Sequence, residues 1–118
     1  KVLGVTVLTS FNQNSFKEIG YSKSIEQIVK KNSMLAKKAK LDGLICSGSE
    51  IKVVRKNFNG LIIVPGIRLK GDNKGDQKRV FSPKDVLIKK GCSGIVMGRS
   101  IIKGNIKNNL KKLTQELK

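Results

Sequence analysis

The sequence predicts an α/β protein with an all-parallel sheet, built as about four βα units of a (β/α)8 barrel. Three observations carry that prediction. Short apolar runs alternate four times with longer stretches of helical periodicity, the pattern of strands joined by crossover helices. The runs are rich in branched residues and bounded by Pro or Gly, as in Leu61-Ile62-Ile63-Val64 before Pro65-Gly66 and Gly94-Ile95-Val96-Met97 before Gly98. Such runs read as strands buried on both faces. Polar or arginine residues follow the runs: Thr9-Ser10, Ser47, Arg68 and Arg99. Functional groups past the carboxyl ends of parallel strands imply one shared ligand face, as in barrels. A Gly-x-Gly-x-x-Gly turn is absent, so a dinucleotide-binding sheet has little support.

Each element has its own justification. The first strand runs from Val2 to Leu8, and a polar stretch from Thr9 to Tyr21 follows it. The first helix begins near Ser24, where Ser24 and Gln27 form a capping box. Ile25, Ile28, Val29, Leu35, Ala36 and Ala39 then share one helical face, and Asp42-Gly43 ends the unit. Leu44-Ile45-Cys46 is the second strand. A short helix from about Ser49 to Phe58 turns Ile51, Val54 and Phe58 inward. The third strand, Leu61 to Val64, opens into a long segment from Pro65 to Phe81, and long loops in compact domains are usually binding loops or lids. Ser82-Pro83 caps and starts the third helix. The fourth strand spans Gly94 to Met97, and the last helix, about Asn105 to Leu117, carries Ile106, Leu110, Leu113 and Leu117 on one stripe. Because the first residues already read as a strand that needs partners on both sides, the chain is expected to be a fragment lacking its amino-terminal portion.

Composition bounds the function. The formal charge is +17, from 25 Lys+Arg against 8 Asp+Glu with no His, which raises the question of nucleic acid. Twenty-one of those cations are Lys and four are Arg, whereas base readout and bidentate phosphate grip favour Arg. The lysines are spread over all the helices, and aromatic residues make up 4%, leaving no stacking platform for single strands. The expectation is solvated helix faces and no nucleic-acid partner. Cys46 and Cys92 have no Cys-x-x-Cys companion and no His, so they read as buried free thiols of a reducing cytosol and not as metal ligands. No apolar run approaches the roughly 20 residues needed to cross a bilayer, and no signal peptide precedes the first strand. A soluble cytoplasmic protein without a membrane partner is expected.

The candidate site residues cluster after the strands. Gly98 lets an anion approach a bare backbone amide, and Arg99 adds two parallel donors; a rim arginine held by a carboxylate is the bland alternative. Arg68 leaves the third strand through the rigid Pro65-Gly66 exit and presents the same choice. Gln77, in Gly75-Asp76-Gln77, carries an amide that donates and accepts at once, although alone it reads as a solvated loop residue. The Thr9 hydroxyl either faces the barrel mouth or caps the loop backbone. No general acid/base set is present, since His is absent and no Ser-His-Asp or Cys-His arrangement can be assembled. Asp72, Lys74 and Asp76 sit in a Gly-rich loop, where side chains are not preorganised, and read as solvated or loop-ordering groups.

Taken together, Val5-Thr6-Val7-Leu8-Thr9-Ser10, Leu41-Asp42-Gly43-Leu44-Ile45-Cys46-Ser47, Val64-Pro65-Gly66-Ile67-Arg68, Gly75-Asp76-Gln77-Lys78-Arg79 and Met97-Gly98-Arg99-Ser100 resemble, in order and spacing, the carboxyl-terminal half of the bacterial orotidine 5′-phosphate decarboxylase family. The resemblance runs from the first residue to the last. It implies units five to eight of a (β/α)8 barrel, with the amino-terminal half missing. It also implies decarboxylation of orotidine 5′-monophosphate to uridine 5′-monophosphate without metal or organic cofactor, by a homodimer. On this resemblance Arg68, Arg99 and the Gly98 amide hold the 5′-phosphate, Gln77 bridges phosphate and pyrimidine, Thr9 bonds the pyrimidine edge and Pro65 lines the pocket near the ring. The family's catalytic Asp-x-Lys-x-x-Asp motif is absent from the chain; Asp72-x-Lys74-x-Asp76 has another spacing and place, so the isolated fragment is expected to be inactive. Two rivals stay open: a sugar-phosphate barrel such as an epimerase or aldolase-like lyase, and a basic nucleic-acid-binding module.

Overall fold

A computed structural model of the chain describes residues 1–72, 80–89 and 91–118. Its strands are β1 (Leu3–Val5), β2 (Gly43–Ile45), β3 (Leu61–Val64) and β4 (Gly94–Ile95). They form one sheet in the order β1-β2-β3-β4, with every neighbouring pair parallel. Leu3 lies opposite Gly43, Gly43 opposite Leu61, and Ile63 opposite Gly94. The helices are α1 (Gln13–Glu18), α2 (Ile25–Lys38), α3 (Ile51–Asn57), α4 (Arg99–Ile102) and α5 (Ile106–Leu117), with a π-helical turn over Asp85–Lys89.

Residues alternating along the strands decide which face is covered. Leu44, Cys46, Ile62 and Val64 are fully or almost fully buried and pack in one core with Val29 and Ala36 of α2 and Ile51 and Val54 of α3. The intervening residues, Leu3, Val5, Ile45, Leu61 and Ile63, face the other way and stay half-buried or exposed. Gly43 lies between two of them: a Cβ there would stand 2.5 Å from Leu3 Cδ2 and 2.9 Å from Leu61 Cβ. The expectation of strands buried on both faces is therefore corrected. Helices supply one cover, and within the described residues no layer is laid over the other face.

Several elements differ from their sequence patterns for identifiable reasons. β1 and β4 are shorter than the apolar runs that announce them, since each pairs on one side only. The polar Thr9–Tyr21 stretch holds a helix, α1, started by a reciprocal cap in which Asn12 Oδ1 accepts from Ser15 N at 2.9 Å and Ser15 Oγ accepts from Asn12 N at 3.0 Å. Phe16 anchors α1 by burial and by stacking on Tyr21 at 4.2 Å between ring centroids. The Ser24–Gln27 capping box of α2 forms as the sequence predicts. Leu35, expected on the inward face of α2, is 53% exposed. The third helix begins at Pro83 and widens into the π-helical turn. No residue of α5 is buried, although its apolar stripe predicts an inward face.

Candidate functional site

The carboxyl ends of β3 and β4 build the site. After Val64, Gly66 adopts a positive φ of 73°, a turn conformation that favours glycine. Ile67, fully buried, anchors the start of the long loop. Arg68 N donates to Phe81 O at 3.2 Å and Ile67 bridges to Phe81, so the two ends of that loop are pinned together. Phe81 is seated in turn by the loop after β2: a Cβ at Gly48 would meet its ring at 2.6 Å. The Arg68 side chain is buried, 7% exposed, and Nη1 donates to Ile67 O at 3.0 Å.

Arg99 arrives from the neighbouring strand. Val96 N donates to Val64 O at 2.9 Å, which extends the β3–β4 pairing to the strand exit. Gly98 caps α4, and Ile101 N and Ile102 N both donate to its carbonyl. The Gly98 Cα faces open space, with nothing within 4 Å of a would-be Cβ, so its exposed backbone is free of crowding on that side. Asn109 of α5 fixes the α4–α5 turn, its Nδ2 donating to Ile101 O at 3.0 Å and Lys103 O at 2.8 Å. The loop after β3 is tied to α5 where Lys70 N donates to Glu116 Oε1 at 2.7 Å.

These elements enclose a cavity of about 360 Å³ lined by Arg68, Gly71, Asp72, Arg99, Ser100, Lys103 and Asn109. The two arginines singled out by sequence thus share one cavity. Among the described lining residues three cations accompany one carboxylate, a cationic lining that suits an anion such as a phosphomonoester, and guanidinium groups bind phosphate bidentately. A volume of this size admits a small ligand.

The other predicted residues distribute differently. Thr9 is buried in the turn after β1, on the same end of the sheet but outside the arginine cavity. Gln77, with Lys74 and Asp76, lies outside the described residues. Asp72, read from sequence as a solvated or loop-ordering group, lines the cavity beside the arginines. Ser100, Lys103 and Asn109 received no role from sequence. Ser100 had a signal, its place directly after Gly98-Arg99; Asn109 had none, because a helical asparagine reads as surface.

The Orotidine 5'-phosphate decarboxylase / HUMPS family matches residues 1–113. An orotidine 5'-phosphate decarboxylase of Coxiella burnetii is 44% identical over 102 residues, covering 85% of this chain and 43% of the relative. One from Prochlorococcus marinus is 45% identical over 105 residues, covering 86% and 43%. The crystal structure of orotidine 5'-phosphate decarboxylase from Lactobacillus acidophilus superposes with a TM-score of 0.74 at 29% identity, over 99% of this chain and 49% of that one. The chain therefore spans somewhat less than half the length of these relatives, and its open parallel sheet corresponds to part of a (β/α)8 barrel.

Proposed function

Because the chain belongs to the Orotidine 5'-phosphate decarboxylase / HUMPS family, we propose that it forms the carboxyl-terminal half of an orotidine 5′-phosphate decarboxylase barrel. In that role it grips the 5′-phosphate and the pyrimidine of orotidine 5′-monophosphate. The observation that carries this reading is the convergence of Arg68 and Arg99 on one cavity at the carboxyl end of a parallel sheet. The Gly98 amide and Gln77 complete the phosphate grip. Thr9, two strands away from Arg68, sits at the end where the ring would lie, since strands about 4.8 Å apart separate the two groups by roughly the length of a nucleotide.

The division of labour follows from where charge develops. Loss of CO2 leaves an electron pair on the ring carbon, which must be protonated. The Asp-x-Lys-x-x-Asp set that serves this step in the family is absent from these 118 residues, so in this reading the other half of the barrel supplies it. This half contributes binding energy remote from the reacting carbon, which positions the ring and lowers the barrier only when the halves act together. Exposed Leu3, Val5 and Val96 at the two sheet edges support a completed barrel. No helix among the described residues is long and apolar enough to cross a membrane. Cys46 and Cys92 are buried and not joined in a disulfide, which supports a reducing, cytoplasmic setting as part of the proposal. A homodimer of completed barrels is part of the same proposal.

The test is turnover of orotidine 5′-monophosphate, monitored by loss of the orotate absorbance. The chain alone is expected to give none. Co-produced with an amino-terminal half bearing Asp-x-Lys-x-x-Asp, it is expected to turn over, and binding of simple sugar phosphates as tight as that of uridine 5′-monophosphate would overturn the assignment in favour of a sugar-phosphate enzyme.

A further inference from the structure

One polar group in the arginine cavity is accounted for by neither the fold nor the two guanidinium groups. Ser100 is 7% exposed, lines the cavity, and its Oγ has no hydrogen-bond partner among the described residues. The other buried serines are paired. Ser33 Oγ donates to Val29 O at 2.7 Å, one helical turn back, and Ser47 Oγ shares a hydrogen bond with Ser49 Oγ at 3.2 Å. Ser100 has no such local outlet, because α4 begins only at Arg99 and no helical carbonyl lies one turn behind it. Gln13 Nε2 is the other buried polar atom without a partner among the described residues. It lies in α1, away from the cavity, and its amide oxygen already accepts from Ile25 N at 3.0 Å.

Buried hydroxyls are nearly always satisfied, and an exception calls for a partner that arrives from outside. Around Ser100 the lining is cationic: Arg68, Arg99 and Lys103 against Asp72. A hydroxyl that must donate, among groups that attract negative charge, is suited to an anionic oxygen.

We propose that Ser100 is a further ligand-binding residue, whose Oγ donates a hydrogen bond to a terminal oxygen of the phosphate held by Arg68 and Arg99. This deepens the phosphate reading above and rests on it. A phosphomonoester has three terminal oxygens, so a neutral donor beside two guanidinium groups adds directional contact without further charge repulsion.

The experiment is calorimetric titration of the 118-residue chain, assembled with its complementary half, using inorganic phosphate, uridine 5′-monophosphate and uridine, for the unaltered protein and Ser100→Ala. A hydrogen bond to a charged oxygen predicts about tenfold weaker binding of phosphate and of the nucleotide in the variant, with uridine unchanged. The ligand-free variant should melt at the same or a higher temperature, because a buried hydroxyl without a partner has been removed. A structural hydroxyl, satisfied by trapped water, predicts the reverse: a lower melting temperature and unchanged phosphate affinity. Either of those results overturns the proposal, as does failure of the unaltered protein to bind phosphate. Loss of phosphate affinity in the variant, with the nucleotide bound no better than phosphate itself, would sink the pyrimidine reading and leave Ser100 in place.

Discussion

The middle of the sheet and its flanks are made of the same kinds of residue, yet they are buried to opposite degrees. Leu44 in β2 and Ile62 and Val64 in β3 are at most 2% exposed, whereas Leu3 and Val5 in β1 are 38% and 53% exposed. Beyond β4 the pattern repeats, with Val96 at 52%, and Ile106 and Leu110 of α5 at 49% and 47%. An apolar strand pattern records a demand for cover; it does not say which part of the polypeptide meets it. Here α2 and α3 meet it for one face of the central strands, while the opposite face and the flanks carry a demand that the described residues leave open.

The largest expected effect tests that difference directly. Ile62→Ala removes a fully buried side chain from the central core and should cost about 2–5 kcal/mol in urea unfolding, transfer and cavity terms together. Val5→Ala, on the exposed flank, should cost less than about 1 kcal/mol in the chain alone, since most of that side chain is already in water. Assembly with a complementary half should raise the Val5→Ala cost severalfold and leave that of Ile62→Ala unchanged. Equal costs in the isolated chain would remove the distinction.

The rim shows a similar contrast between its two arginines. Arg68 is buried and tied to the Ile67 carbonyl, while Arg99 is exposed at the start of α4. Arg99→Ala should therefore weaken phosphate binding by about 10- to 100-fold, the value of hydrogen bonds to a charged partner, with little change in melting temperature. Arg68→Ala should lower both affinity and melting temperature, because it also empties a packed position. Identical stability losses in the two variants would show that burial does not separate their roles.

Legibility in the sequence divides along the same line. Leu61–Val64 is a strand with the bounds its pattern predicts, and Ser24–Gln27 caps α2, because both signals are local and need no distant partner. The pairing of Arg68 with Arg99 was readable because each comes after an apolar run, and parallel strands bring such exits together. Helix α1 was hidden in a polar stretch, since the Asn12–Ser15 cap and the single buried anchor Phe16 leave no apolar periodicity to detect. Leu35 and the α5 stripe have the apolar spacing of an inward face, yet Leu35 is 53% exposed and no residue of α5 is buried, because spacing does not name the partner that would cover it. Ser100 carried only one signal, its place directly after Gly98-Arg99, because a hydroxyl's lack of a partner is visible only once its surroundings are known.

The smallest effect concerns the two thiols, one in the middle of the sheet and one at its flank. Cys46, directly after β2, is 0% exposed, and Cys92, on the approach to β4, is 9% exposed. Burial pushes the Cys92 thiol above its ordinary value of 9.0, and its Sγ–H donates to Gly94 O at 3.4 Å. A thiol whose pKa is raised by folding keeps its proton longer in the folded state than in the unfolded one. Its contribution to stability is complete below the unfolded value and is lost as pH rises above it. The urea midpoint is therefore expected to hold steady through neutral pH and to fall shallowly above pH about 9, and Cys92→Ala should flatten that fall. Under native conditions iodoacetamide should label Cys92 slowly and Cys46 more slowly still, since the thiolate is the nucleophile and the central thiol is reached only when the core opens. Labelling of Cys46 first would mean that the middle of the sheet opens more readily than its edge, reversing the order of burial from which the other predictions start.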